Sequence, residues 1–228
     1  MPGYSHQERL AAAQSTGTRI RARSAPKAIA AEIEAPEQPV GVIILPVAIP
    51  LSASSGGLRL IAAGLQDRGF ATFLAELLSP AEVEHGYHSF DLDLLAGRIA
   101  EVTESLRRKA LLEDLPMGYF GTSTDAAAIA IAAAQPDCPA GALVLCDARP
   151  ELASIELPSV RAPTLFIVED DELALNLNRS ALARLCCPGH LAVLHDAGKG
   201  LASPEIASQA ARLAGDWFET HLRGERDG

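Results

Sequence analysis

The segment 116–134 constrains this chain more than any other. Apolar residues 117–120 lead directly into Gly121-Thr122-Ser123-Thr124-Asp125, and an alanine-rich stretch follows. A short apolar strand that turns sharply into a helix at a serine is the setting of a nucleophile elbow, which holds a hydroxyl at the tip of a parallel sheet. Strand, turn and helix in immediate succession point to an α/β architecture. The elbow pattern asks for Gly-x-Ser-x-Gly, and its last position here is Asp125. A carboxylate there adds bulk and negative charge beside the serine, which opposes an oxyanion; alternatively it caps the helix that follows.

The same alternation continues along the chain. Residues 40–45 form a continuous apolar run, the mark of a strand buried on both faces. Leu58, Ile61, Ala62 and Leu65 recur at helical spacing before Gly69. Residues 70–74, 141–146, 164–168 and 191–194 read as further strands, and 90–112, 124–134, 173–185 and 204–222 as helices. A short helix is expected over 5–16, and edge strands over 17–35, where Ile20, Ile29 and Ile33 alternate loosely. The prediction is a single domain over 1–228, with a helix and edge strands in 1–35 and the core in 40–222. Its fold class is α/β: a mostly parallel sheet flanked by helices on both faces. Functional groups in such a sheet gather at the carboxyl ends of the strands.

At 228 residues the chain has length for one well-filled α/β domain. No run approaches the roughly 18 apolar residues of a membrane span, and the first residues lack the apolar core of a signal peptide. A cytoplasmic protein is expected. The formal charge of −10, from 29 acidic against 19 basic residues, disfavours nucleic acid and anionic lipid as partners. The expected partner is a small-molecule ligand or substrate, with a homodimer admitted. Cys138, Cys146, Cys186 and Cys187 fit no zinc spacing and read as reduced, structural thiols. No metal and no cofactor is expected. The acidic run 169–172 reads as a solvated loop at a strand end, since four consecutive acids cannot converge on one ion. Ser52, Ser54 and Ser55 with Gly56-Gly57 stand before a helix N-terminus, a weak signal for anion binding.

From about residue 40 to 222 the chain resembles the dienelactone-hydrolase-like branch of the α/β-hydrolase family, including small bacterial members sometimes fused to phosphoribosyltransferases. The segments that carry the match are LPMGYFGTST (115–124), RAPTLFIV (161–168), LNLNRSAL (175–182) and ARLAGDWF (211–218). The resemblance implies a triad in the order Ser, acid, His. Ser123 falls on the nucleophile position. The family acid, placed after the strand ending at Val168, aligns best with Glu172, and Asp171 stands one residue away. The family histidine follows the last strand, before a helix that opens near a proline. Counting back from Pro204 puts Lys199 there, with His195 four residues earlier. Oxyanion donors are implied next to the nucleophile, at Thr124, and after an early strand, near Val47. Relatives carry a His-Gly-rich turn at the latter place. This chain has Pro46-Val-Ala-Ile-Pro-Leu51, in which Pro46 and Pro50 remove two donors.

Two function classes follow. One is a hydrolase of a small ester, lactone or thioester acting through Ser123, with Lys199, His195 or His88 of the 82–89 loop as base, or a lyase or cyclase using the same pocket. The other is a hydrolase-like protein with a degenerate triad that binds a small molecule or a partner chain. A neutral Lys199 would need a pKa several units below the usual ~10.4, so a protonated, exposed or ion-paired ammonium is expected. Ser123 is expected to show a positive φ, as a sharp elbow demands.

Overall fold

The computed structural model describes residues 20–21, 31–48, 56–84, 90–108, 112, 114–195 and 200–223. Their strands form one eight-stranded sheet. In chain order these are β1 (Ile20–Arg21), β2 (Ala31–Glu34), β3 (Gly41–Val47), β4 (Phe70–Glu76), β5 (Met117–Thr122), β6 (Ala140–Cys146), β7 (Thr164–Glu169) and β8 (Gly189–Leu194). Spatially they run β1-β2-β4-β3-β5-β6-β7-β8. β1 and β2 pair antiparallel, as does β2 with β4, and every pairing from β4 to β8 is parallel. The mostly parallel α/β sheet expected from the sequence is the one observed. The helix expected over 5–16 lies outside the described residues.

The helices are α1 (Gly56–Gln66), α2 (Pro80–Glu84), α3 (Leu92–Arg107), α4 (Ser123–Ala133), α5 (Glu172–Leu182) and α6 (Pro204–Leu222). The sheet separates two apolar cores. Along β3, Ile43 and Leu45 face α1 and α6, while Val42 and Ile44 face the side of α3 and α4. This period-two alternation onto two buried faces is why residues 40–45 show no polar position. Ile61 and Leu65 of α1 are fully buried, each contributing about 1.5–3 kcal/mol by removal from water. In α4, residues 126–133 are all buried, so beyond its first turn this helix has no solvent face.

Three details depart from expectation. α3 spans Leu92–Arg107 rather than 90–112, because the Asp91 side chain accepts the Leu94 N–H at 3.0 Å and sets the start. α2, not read from the sequence, is pinned by Glu82. The Glu82 carboxylate accepts from the backbone and side chain of Ser79 and meets Arg98 Nη1 at 3.0 Å. Arg98, only 7% exposed, also donates to the Leu77 carbonyl. Thirdly, Pro46 belongs to β3 and not to the loop after it. The β3–β5 pairing ends at Ile44, so the missing N–H of Pro46 falls beyond the last rung on that side.

The direction in which strands are added to the sheet reverses between β3 and β5: β4 follows β3 on one side of it, and β5 lies on the other. That is the topological switch point, where a crevice opens beyond the carboxyl ends of the strands.

A candidate nucleophile elbow at the switch point

β5 ends at Thr122 and α4 begins at Ser123 with no residue between them. Ser123 takes φ +51°, the left-handed conformation expected of it, and is exposed. A non-glycine residue in this region carries strain on the order of 1 kcal/mol, held in place by its surroundings. Those surroundings are visible at Gly121, where an added Cβ would lie 2.3 Å from Ile129 Cδ1 and 3.1 Å from Ala126 Cα. The first turn of α4 folds directly back over the strand, and only glycine leaves room for it.

Asp125 occupies the first turn of α4, half-buried, and its Oδ1 accepts the Ala48 N–H at 3.1 Å. Ala48 is the first residue past β3, so this bond spans the switch point and joins segments 77 residues apart. Burial pushes the Asp125 carboxyl up to about 7, against the opposing effect of the Ala48 N–H. Asp125 therefore does not cap its own helix; it reaches across to β3. Thr124 is half-buried beside it and Val47 is buried one residue before Ala48. No side chain among the described residues lies within hydrogen-bond distance of the Ser123 hydroxyl.

The acidic run at the end of β7 is divided among different tasks. Glu169 is half-buried, and its carboxyl is raised by burial and then by Asp147 and Asp171. Asp170, exposed, meets His195 Nδ1 at 3.3 Å, and the histidine is exposed as well. The Asp171 side chain accepts the Ala174 N–H at 2.9 Å and caps α5. Glu172 is exposed in the first turn of that helix. Lys199 and His88 lie outside the described residues, as do Pro50 and Ser52 to Ser55. Gly200, the residue after Lys199 in the chain, has φ +56°, and its Cβ position falls 3.5 Å from Glu169 Oε1. The following turn presses on α1: a Cβ on Gly57 would sit 1.9 Å from the Leu201 carbonyl oxygen. The chain at Gly200 is thus drawn back over the end of β7, beside Glu169 rather than Glu172.

Two groups escaped the sequence reading. Asp147, at the end of β6, takes φ +46° and raises Glu169. The Asp125–Ala48 bond has no local signal, because its partners meet only when β3 and β5 become neighbours. Among the described residues, no three His, Cys, Asp or Glu side chains cluster to hold a metal. No described helix is long and apolar enough to cross a membrane.

A parallel sheet with flanking helices and a left-handed serine between β5 and the next helix defines the α/β-hydrolase fold. No family model matches the chain. The crystal structure of a dienelactone hydrolase from Anabaena variabilis matches with a TM-score of 0.85 at 30% identity, over 91% of this chain and 100% of that one. The chain belongs to the α/β-hydrolase family, in the branch of that dienelactone hydrolase. Est1E from Butyrivibrio proteoclasticus shares the fold, with a TM-score of 0.71 at 11% identity over 92% of this chain and 100% of its own. Two Mycobacterium tuberculosis proteins, provisionally named phosphoribosyl transferases, are 38% identical over 206 residues, which is 90% of this chain. The chain spans 46% of the length of those curated relatives.

Proposed function

We propose that this chain is a divergent member of its family in which the Ser-acid-His triad is degraded and hydrolysis of a small ester, lactone or thioester is lost or altered. The observation that carries the reading is the bond from the Ala48 N–H to Asp125. In this fold the oxyanion hole takes one N–H from the residue after the nucleophile and one from the loop after the early strand. Ala48, next to Val47, opens that loop here, and its N–H is held by a carboxyl group. Where that carboxyl is ionised, it also places negative charge where an oxyanion would form. Loss of one such donor costs about 10²–10³ in rate. Three further points support the reading. Asp171 is engaged as a cap, Glu172 is exposed, and Lys199 takes the place of the family histidine.

A second reading draws on the same group. A carboxyl pushed up to about 7 is matched to proton transfer near neutral pH, which a lyase or cyclase could use without an acyl-enzyme on Ser123. An active serine hydrolase with Lys199, His195 or His88 as base remains the competing assignment. Phosphoribosyl transfer is not carried over to this chain. It covers under half of the relatives bearing that name and matches a hydrolase structure along 91% of its own length.

The test is turnover of p-nitrophenyl acetate together with labelling by a serine-directed fluorophosphonate. The expected result is turnover near background and slow labelling, with labelling accelerated in Asp125→Gly, which releases the Ala48 N–H. Rapid labelling of the unaltered protein that disappears in both Ser123→Ala and Lys199→Ala would overturn the reading and establish a Ser–Lys enzyme. Loss in His195→Ala or His88→Ala instead would assign the base there.

A further inference from the structure

A cavity of about 200 Å³ lies between α3, α4 and the amino-terminal half of the β5–β6 pair, lined by Ala100, Thr103, Tyr119, Ala132, Cys138 and Pro139. It belongs to the opposite end of β5 from the elbow. Tyr119 precedes Ser123 by four residues, roughly 13 Å of strand. Ala132 lies nine residues along α4 from the same serine, again roughly 13 Å.

The polar groups of this cavity are ordered in one direction. Thr103 donates its only hydroxyl proton to the Ile99 carbonyl at 2.7 Å. Its contact with the Tyr119 hydroxyl, at 2.8 Å, is then one in which the tyrosine donates. The Cys138 thiol donates in turn to the Tyr119 oxygen, at 3.7 Å. Every proton in the chain is committed, so the interior presents lone pairs on the tyrosine oxygen and the cysteine sulfur and offers no donor. Burial keeps the Tyr119 phenol neutral by raising its pKa above the ordinary value. Charge and the remaining donors are confined to the rim, formed by the exposed Glu104, Arg107, Gln135 and Asp137, where Arg107 faces Glu104 at 3.9 Å.

The geometry points to a second binding site here, for a neutral, ring-sized molecule that carries one hydroxyl donor, the phenol class. An apolar ring fills the alanine and proline walls, and its hydroxyl donates to the unprotonated lone pairs at the floor. A charged ligand would lose its hydration without a counter-charge inside. This inference does not rest on the state of Ser123.

The experiment is alkylation of the intact protein by iodoacetamide, mapped cysteine by cysteine, with phenol as the probe. Cys186, which is exposed, serves as the internal reference. Millimolar phenol is expected to slow alkylation of Cys138 at least ~3-fold while leaving Cys186 unchanged, as occupancy dictates. Toluene, which lacks the donor, and benzoate, which is charged, are expected to protect less. Ala100→Leu, at an exposed helical position on the rim, should abolish the amide shifts of Thr103, Tyr119 and Cys138 seen in an NMR titration with phenol. Unchanged alkylation of Cys138, protection by toluene or benzoate equal to that by phenol, or shifts that persist in Ala100→Leu would each overturn the assignment.

Discussion

Replacing Asp125 by asparagine removes a titrating proton while keeping the shape of the side chain and an oxygen that can accept the Ala48 N–H. In the folded protein the carboxyl titrates at about 7, and its ordinary value is 3.8. As pH rises from about 4, the unfolded chain releases this proton first, so the folded state binds more protons across the interval. Stability contributed by this group is then complete below about pH 4, declines as pH climbs through 7, and stays flat above it. At 1.36 kcal/mol per pH unit the interval corresponds to about 4 kcal/mol, and the partial exposure of the side chain reduces this to roughly 2–3 kcal/mol. The neutral amide of the Asp125→Asn variant carries no such penalty. Urea unfolding at pH 5 and pH 8 gives the measurement. Asp125→Asn should gain roughly 2–3 kcal/mol over the unaltered protein at pH 8 and markedly less at pH 5. Other titrating groups cancel in the difference. A stability difference that is the same at both pH values would refute the claim that a desolvated carboxyl sits at this position.

Three further outcomes are expected. Ser123→Gly should raise the urea midpoint by an amount equivalent to about 1 kcal/mol, because glycine adopts φ +51° without strain; no gain would mean the elbow is relaxed. Arg98→Met should destabilise by about 2–4 kcal/mol, since it strands Glu82 and the Leu77 carbonyl in a largely buried place. Adding Glu82→Gln to it should recover part of that loss in the same unfolding assay. Asp171→Ala should cost about 1 kcal/mol through the uncapped Ala174 N–H, and it should leave fluorophosphonate labelling of Ser123 unchanged if the carboxylate acts only as a cap.

The alternation of strands and helices was legible because the central parallel strands are buried on both faces and crossover helices such as α1 and α3 on one. Residues 40–45 and 164–168 could hardly be anything but interior strands. The elbow was legible for a related reason: Gly121 and Ser123 answer to constraints within a few residues of themselves. Legibility failed where the deciding partner was remote. α2 exists because Glu82 finds Arg98, sixteen residues on and on another helix. Pro46 looks like a loop residue until β5 is seen to stop pairing at Ile44. Local sequence leaves Asp125 as either an obstruction or a cap, and only its partner, 77 residues away, removes the cap and shows that it bridges two strand ends. Nor does the sequence announce that the turn at Gly200 comes back beside Glu169.

The burial of α4 beyond its first turn has a consequence for how such a protein changes over time. A helix with eight successive buried residues tolerates almost no substitution, and its amides should be among the slowest in the molecule to exchange with solvent. The turn that launches it is therefore held in place by that packing. Exposed residues beyond the strand ends, such as Glu172 and His195, answer to no such packing demand. The core thus holds a serine in a left-handed turn whatever groups stand at the strand ends around it.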